Sequence, residues 1–175
     1  MRQLRLAFAL ISFALLGVSA AGAWARTPPQ AEPTVSCDRI VLHDRTGAGD
    51  GFRVLLGAVS VPGSRQLAQS SAATPDRRWR YFRSAGIAIR AGTAVVSVSI
   101  PEGWRNRVAI SWGGSPASST LRFAPCGSSP AGAWNSYSGG FHLSARGDCV
   151  PLLVTVGGMN TTVRVGLGRA CGTRR

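Results

Sequence analysis

The 175-residue chain contains no lysine; all 20 of its basic residues are arginine. This reads as the codon bias of a GC-rich genome and not as a demand for guanidinium chemistry. Acids number only 7, histidines 2 and cysteines 4, so few side chains can titrate, attack or ligate. No G-x-S-x-G elbow is present, which removes the sequence signature of an α/β-hydrolase nucleophile. No C-x-x-C pair occurs and the cysteine spacings are wide, which argues against zinc. No two carboxylates are set by spacing to face each other across a cleft, as glycoside hydrolysis requires. Charged residues make up 15% against 45% hydrophobic, a balance that excludes intrinsic disorder.

What is present begins with an export-like leader. Arg2 and Arg5 precede a largely apolar, uncharged stretch at 6–22, and Ala23-Trp24-Ala25 supplies small residues at −3 and −1. The expectation is a signal peptide over 1–25, a disordered tail or linker over 26–36 and one domain over 37–175. An uncleaved N-terminal membrane anchor is the alternative. Cleavage after Ala25 leaves 18 Arg against 7 acids, a net +11. The predicted location is secreted, extracellular or at the cell envelope. In that setting four cysteines imply two disulfides. Three pairings are open; the favoured one joins Cys126 to Cys149 and Cys37 to Cys171. Oxidised cysteines leave no thiol for catalysis.

From Cys37 onwards apolar residues fall in short runs with period two, the pattern of half-buried strands. Phe52, Val54, Leu56 and Ala58 alternate with Arg53, Leu55, Gly57 and Val59. Val96, Val98 and Ile100 precede Pro101-Glu102-Gly103, and Val108, Ile110 and Trp112 follow, so these runs are expected to pair as a hairpin. A second hairpin is expected from Val154 and Val156 through Gly157-Gly158-Met159-Asn160 to Val163, Val165 and Leu167. Further runs near 37–43, 79–89, 120–124 and 140–144 bring the total to about nine strands. Residues 62–75 are polar and read as a loop or a single helical turn. The predicted fold is all-β, an antiparallel β-sandwich, Ig-like or related.

The stretch 104–171 carries Trp104-Arg105-Asn106-Arg107, Ile110-Ser111-Trp112-Gly113, Leu121-Arg122-Phe123, Cys126, Trp134-Asn135-Ser136-Tyr137-Ser138-Gly139-Gly140-Phe141, Cys149-Val150-Pro151-Leu152 and Val163-Arg164-Val165-Gly166-Leu167-Gly168-Arg169-Ala170-Cys171. Over these motifs it resembles a family of uncharacterised secreted proteins from high-GC actinobacteria. The resemblance implies export and disulfides; it implies no activity and brings no catalytic or binding residues.

Candidate functional residues therefore come from local chemistry. Asp76-Arg77-Arg78-Trp79-Arg80-Tyr81-Phe82-Arg83 interleaves four arginines with three aromatics, a composition suited to anionic polymers. The competing reading is a strand with Trp79 and Tyr81 toward the core and Arg78 and Arg80 in solvent. Trp134 and Tyr137, in a loop of small polar residues over 132–140, are candidates for stacking on a sugar, or plugs at the end of a sandwich. His142 lies opposite Phe141 and Leu143 by strand alternation, and His43 ends the first strand beside Asp44. Either histidine reads first as structural or surface, and second as the base of a hydrolase. Residues 44–51 superficially suggest calcium, but Arg45 and the missing third acid favour an ordinary turn, and neither metal nor cofactor is expected. Arg146-Gly147-Asp148 and Asn160-Thr161-Thr162 read as hairpin-turn residues.

The expected function is a non-enzymatic binding or structural module that associates with cell-envelope or other anionic polymers, including acidic lipid or extracellular nucleic acid. Arg77, Arg78, Trp79, Arg80 and Arg83 are its candidate surface, with Trp134 and Tyr137 as the second. A secreted hydrolase or inhibitor using His43 or His142 and a protein-assembly module are the alternatives.

Overall fold

The structure, a computed structural model, describes residues 31–44, 51–63, 67, 69–127 and 132–171. The expected signal segment and the centre of the calcium-like loop lie outside these residues. Fourteen strands follow in chain order: β1 (Thr34–Val35), β2 (Leu42–Asp44), β3 (Phe52–Leu55), β4 (Val59–Pro62), β5 (Ala72–Ala73), β6 (Tyr81–Ser84), β7 (Ile87–Arg90), β8 (Val96–Ser99), β9 (Val108–Trp112), β10 (Thr120–Phe123), β11 (Trp134–Tyr137), β12 (Gly139–Leu143), β13 (Asp148–Val156) and β14 (Met159–Leu167). They form three sheets, ordered β1-β10-β8-β13-β14, β2-β11-β7-β4-β3 and β5-β6-β12-β9. All pairings are antiparallel except β1 with β10. The β-sandwich expected from the sequence is the fold.

The β13–β14 hairpin shows why period two suffices here. Val150, Leu152, Val154 and Val156 are buried while the residues between them are half-exposed. Gly157 and Gly158 both take positive φ, 54° and 86°, as a two-residue hairpin loop with matching twist demands. Pro151 falls where β13 has β14 as its neighbour but not β8, whose pairing begins at Leu153, so the central ladder loses no N–H donor.

Four expectations are corrected. The runs at 96–100 and 107–112 do not pair: β8 belongs to the first sheet and β9 to the third. Pro101 does not make a hairpin turn but opens a 3-10 turn, Glu102–Trp104, with the Trp104 N–H bonded to the Pro101 carbonyl. A further turn, with the Arg107 N–H on the Trp104 carbonyl, carries the chain across the sandwich. Residues 52–59 are not one strand, because Leu56 and Gly57 at φ 50° and 65° fold them into the β3–β4 hairpin. Thr34 and Val35 of the expected tail form β1, with Val35 buried opposite Phe123. The disulfides join Cys37 to Cys126 and Cys149 to Cys171. The parallel β1–β10 pairing brings Cys37 to Cys126 just past both strands, and the turn after β14 returns Cys171 beside β13, so the favoured pairing gives way.

The strand count exceeds nine because the runs at 52–59 and 79–89 each divide in two and because β1, β5 and β11 form where no strand was expected. β6 and β7 form one run, β11 and β12 another, and each run leaves the third sheet for the second at the same level. The register passes straight through the corner, with Gly140 opposite Ser84 and Tyr137 opposite Ile87, and the Ala85 N–H bonds the Gly139 carbonyl at 2.9 Å. A Cβ on Gly139 would collide with the Ser111 carbonyl, and one on Gly140 with the Arg83 carbonyl. Glycine lets the two sheets approach at this corner. Trp112 pins the inside of the bend: its indole N–H donates to the Ala85 carbonyl at 2.7 Å, and its ring meets Phe141 edge-on at 5.4 Å.

The core spans all three sheets, from Val96, Val98 and Leu152 to Ile87, Ile89, Ile110, Phe123, Tyr137 and Phe141. Two disulfides fit an oxidising, extracellular environment. Among the described residues no helix is long and apolar enough to cross a membrane. The Leu67 N–H bonds the Gly63 carbonyl, a helical i→i−4 bond within the stretch read as a loop or single helical turn.

Candidate functional site

Alternation in the third sheet sends Val108, Ile110, Trp112, Phe141 and Leu143 into the core. Ala109, Ser111 and His142 therefore share the opposite face. In register, His142 sits between Ala109 on β9 and Phe82 on β6. The Phe82 and His142 rings lie 4.9 Å apart, and the Ser111 hydroxyl is 2.8 Å from His142 Nε2. Burial pushes the His142 imidazole below its usual 6.5, and the Asp76 carboxylate pulls it back upward.

Asp76 belongs to the loop between β5 and β6, which folds onto itself through its own short polar side chains. Its Oδ1 accepts the N–H groups of Arg78 and Trp79 at 2.7 and 2.8 Å, an Asx-type turn. These two bonds hold the Asp76 carboxyl below its ordinary value. The Thr74 N–H closes the loop on the Arg80 carbonyl at 2.8 Å. So held, Trp79 is 8% exposed and packs outside the main core cluster. It forms a wall of a cleft of about 150 Å³ lined also by Arg78, Arg105, Ala109, Ala117, Ser118 and Ser119. The Arg78 guanidinium lies 4.8 Å from the Trp79 ring centroid, and Arg105 Nε donates to the Ile100 carbonyl at 3.2 Å. Among the described residues no carboxylate lies within ion-pair distance of Arg77, Arg78, Arg80 or Arg105.

The four arginines of the basic–aromatic stretch do not act as one patch. Arg77 and Arg78 are exposed on the loop. Arg80 turns its Nε and Nη2 to the Ser144 carbonyl at 3.0 and 2.8 Å. Arg83 alternates with Phe82 onto the other face of β6 and reaches Gln69 Oε1 at 3.4 Å. Tyr81 packs against the core, while Trp79 lines the cleft and lies outside the main core cluster.

Trp134 and Tyr137 are a correction. They lie in β11 and not in a loop, at 5% and 1% exposure. Tyr137 meets Phe123 edge-on at 5.1 Å, and its hydroxyl donates to Cys126 Sγ at 3.7 Å. Arg90 covers the Trp134 ring at 5.4 Å. Both aromatics are closed to a sugar because their rings are buried, Trp134 beneath Arg90 and Tyr137 against Phe123.

His43 is bound structurally: its Nδ1 lies 2.8 Å from Asn135 Oδ1, and Asn135 Nδ2 donates to the Cys126 carbonyl. Among the described residues no group of three or more His, Cys, Asp or Glu could hold a metal ion.

Arg105 and Ser111 were missed as site residues from sequence. The signal for Ser111 was its place on the polar side of an alternating strand; its partner became visible only with the β9–β12 pairing. For Arg105 the cue was the Trp104-Arg105-Asn106-Arg107 cluster, in which Arg107 is occupied, stacked on Trp104 at 4.5 Å and paired with Asp148. No known protein-family model matches this chain, and no curated protein matches it.

Proposed function

We propose that this domain binds an anionic polymer of the cell envelope through the cleft between Arg78 and Arg105. The observation that carries the reading is the cleft itself: two guanidiniums without a carboxylate partner among the described residues, beside an indole wall and serine-bearing backbone. Guanidinium forks match phosphate or carboxylate oxygens, and an aromatic wall offers a sugar ring an apolar surface. Arg77, exposed on the same loop as Arg78, and the net positive charge of the chain draw a polyanion toward this region. Arg80, already directed to Ser144, and Arg83, on the other face of β6, add to the field without lining the cleft. The same reading places the mature protein outside the cytoplasm, after removal of the leader, and keeps the kinship with actinobacterial secreted proteins as part of the proposal.

The test is binding of the oxidised chain 26–175 to purified wall glycopolymer across a salt series, beside Arg78→Ala/Arg105→Ala. Counterion release makes affinity fall linearly on a log–log plot against salt. The double variant is expected to bind at least about tenfold more weakly, with a slope shallower by about 1.5 to 2. Equal affinity and equal slope in both proteins would refute the cleft as the binding site.

A further inference from the structure

The face that carries the arginine cleft also carries a nucleophile–base pair that polymer binding does not use. Ser111 Oγ and His142 Nε2 are 2.8 Å apart, the distance at which an imidazole takes a hydroxyl proton. We propose that Ser111 and His142 form an acyl-transfer centre that hydrolyses O-acyl esters carried by an anionic polymer; the ester class rests on the geometry, the polymer on the reading above.

Four observations support it. Both side chains are half-buried, sheltered yet reachable, unlike core residues. The Phe82 ring packs 4.9 Å from the imidazole and limits the positions the ring can take. The Asp76 carboxylate, which acts on His142 from the β5–β6 loop, favours the imidazolium that forms as the serine proton is taken. Ala109, the cross-strand neighbour of His142, is also part of the cleft lining, so a polymer held by Arg78 and Arg105 runs beside the pair. By contrast, His43 faces an amide that can be neither nucleophile nor charge partner.

The step balances with ester and water alone. In the Nδ1–H tautomer, Nε2 takes the Ser111 proton as Oγ bonds the acyl carbon. The tetrahedral adduct collapses, the ester C–O bond breaks, and the imidazolium proton passes to the departing alcohol. Water then repeats the sequence on the acyl-serine, releasing the carboxylic acid and restoring the hydroxyl. Arg78 and Arg105, which line the cleft with Ala109, add positive charge to the field that the oxyanion meets.

The experiment treats the oxidised chain 26–175 with a fluorophosphonate, which forms an Oγ–P bond with loss of fluoride, and reads intact mass and the labelled peptide. One label on Ser111 is expected, absent in Ser111→Ala and slowed about 100-fold in His142→Gln. Circular dichroism confirms that each variant is folded, and localisation of the label in the unsubstituted protein stands independently of both variants. No label, label on another serine, or equal rates with and without His142 would overturn the proposal. Ser111→Ala is expected to keep its affinity for wall glycopolymer, so loss of labelling and loss of polymer binding are separate failures.

Discussion

Removing the two disulfides one at a time should cost the fold unequally, and the loop lengths say by how much. Cys37–Cys126 spans 89 residues of sequence and Cys149–Cys171 spans 22. The chain-entropy relation then assigns about 4.6 kcal/mol to the first and about 3.4 kcal/mol to the second at 25 °C. Packing widens the gap. Cys126 is buried and accepts the Tyr137 hydroxyl in the core, so Cys37→Ala/Cys126→Ala also leaves that hydroxyl without its partner, at about 1 kcal/mol or more. Cys149 and Cys171 are half-exposed and lose less on truncation. The total difference is therefore about 2 kcal/mol, a large share of a net stability of roughly 5–15 kcal/mol. Urea unfolding followed by tryptophan fluorescence, with the midpoint and slope fitted for each double variant, measures it. Equal losses, or a greater loss for Cys149→Ala/Cys171→Ala, would refute both the loop-length argument and the assignment of Cys126 to the core.

Trp112→Phe should cost about 2 kcal/mol in the same assay, because the Ala85 carbonyl loses its indole donor and the core keeps a gap; a loss under about 0.5 kcal/mol would show that the corner does not depend on this bond. Gly139→Ala should prevent accumulation of folded protein or cost more than about 3 kcal/mol, since its methyl would overlap the Ser111 carbonyl; ordinary expression with an unchanged midpoint would contradict this. His142 titrates lower folded than unfolded, so protonation favours the unfolded chain: stability should hold above pH 6.5 and fall as pH drops through the folded value. His142→Gln should flatten that window and leave the further loss below about pH 4, where the depressed carboxyls of Asp76 and Asp38 take protons. Denaturation midpoints taken between pH 8 and pH 3 decide this, and identical profiles for the two proteins would count against it.

How far the fold was legible depended on whether its information was local. The β13–β14 hairpin could be read outright, because alternating valines and leucines flank a diglycine whose positive φ values only one kind of loop uses. The 96–112 region misled for a physical reason. Two strands joined by a short Pro–Gly connection usually pair, but here successive turns from Pro101 to Arg107 span the two layers. Trp134 and Tyr137 read as loop residues because Gly and Ser surround them; the glycines instead serve the bend between two sheets, Tyr137 enters the core beside it, and Trp134 lies under Arg90 on the other face. Disulfide pairing rested on the parallel β1–β10 contact, which joins segments about 90 residues apart and has no local signature. The candidate site divides similarly. The basic loop was visible as composition, whereas Ser111 and His142 meet only through the cross-strand register of β9 and β12.

The position of β13 also bears on the order in which this fold can be completed. It is an interior strand, flanked by β8 and β14, yet it comes from the last quarter of the chain. During vectorial synthesis β8 and β10 are made well before it, and β8 waits with one edge open until 153–156 arrive. The final cross-link waits longer still, for Cys171. A chain interrupted before residue 148 is thus not a shortened domain but an unclosed one, with one open edge of a strand of alternating valines presented to any neighbour. Loss of the C-terminal hairpin converts a stable sandwich into an aggregation seed, and intact delivery of the whole chain becomes a condition of solubility.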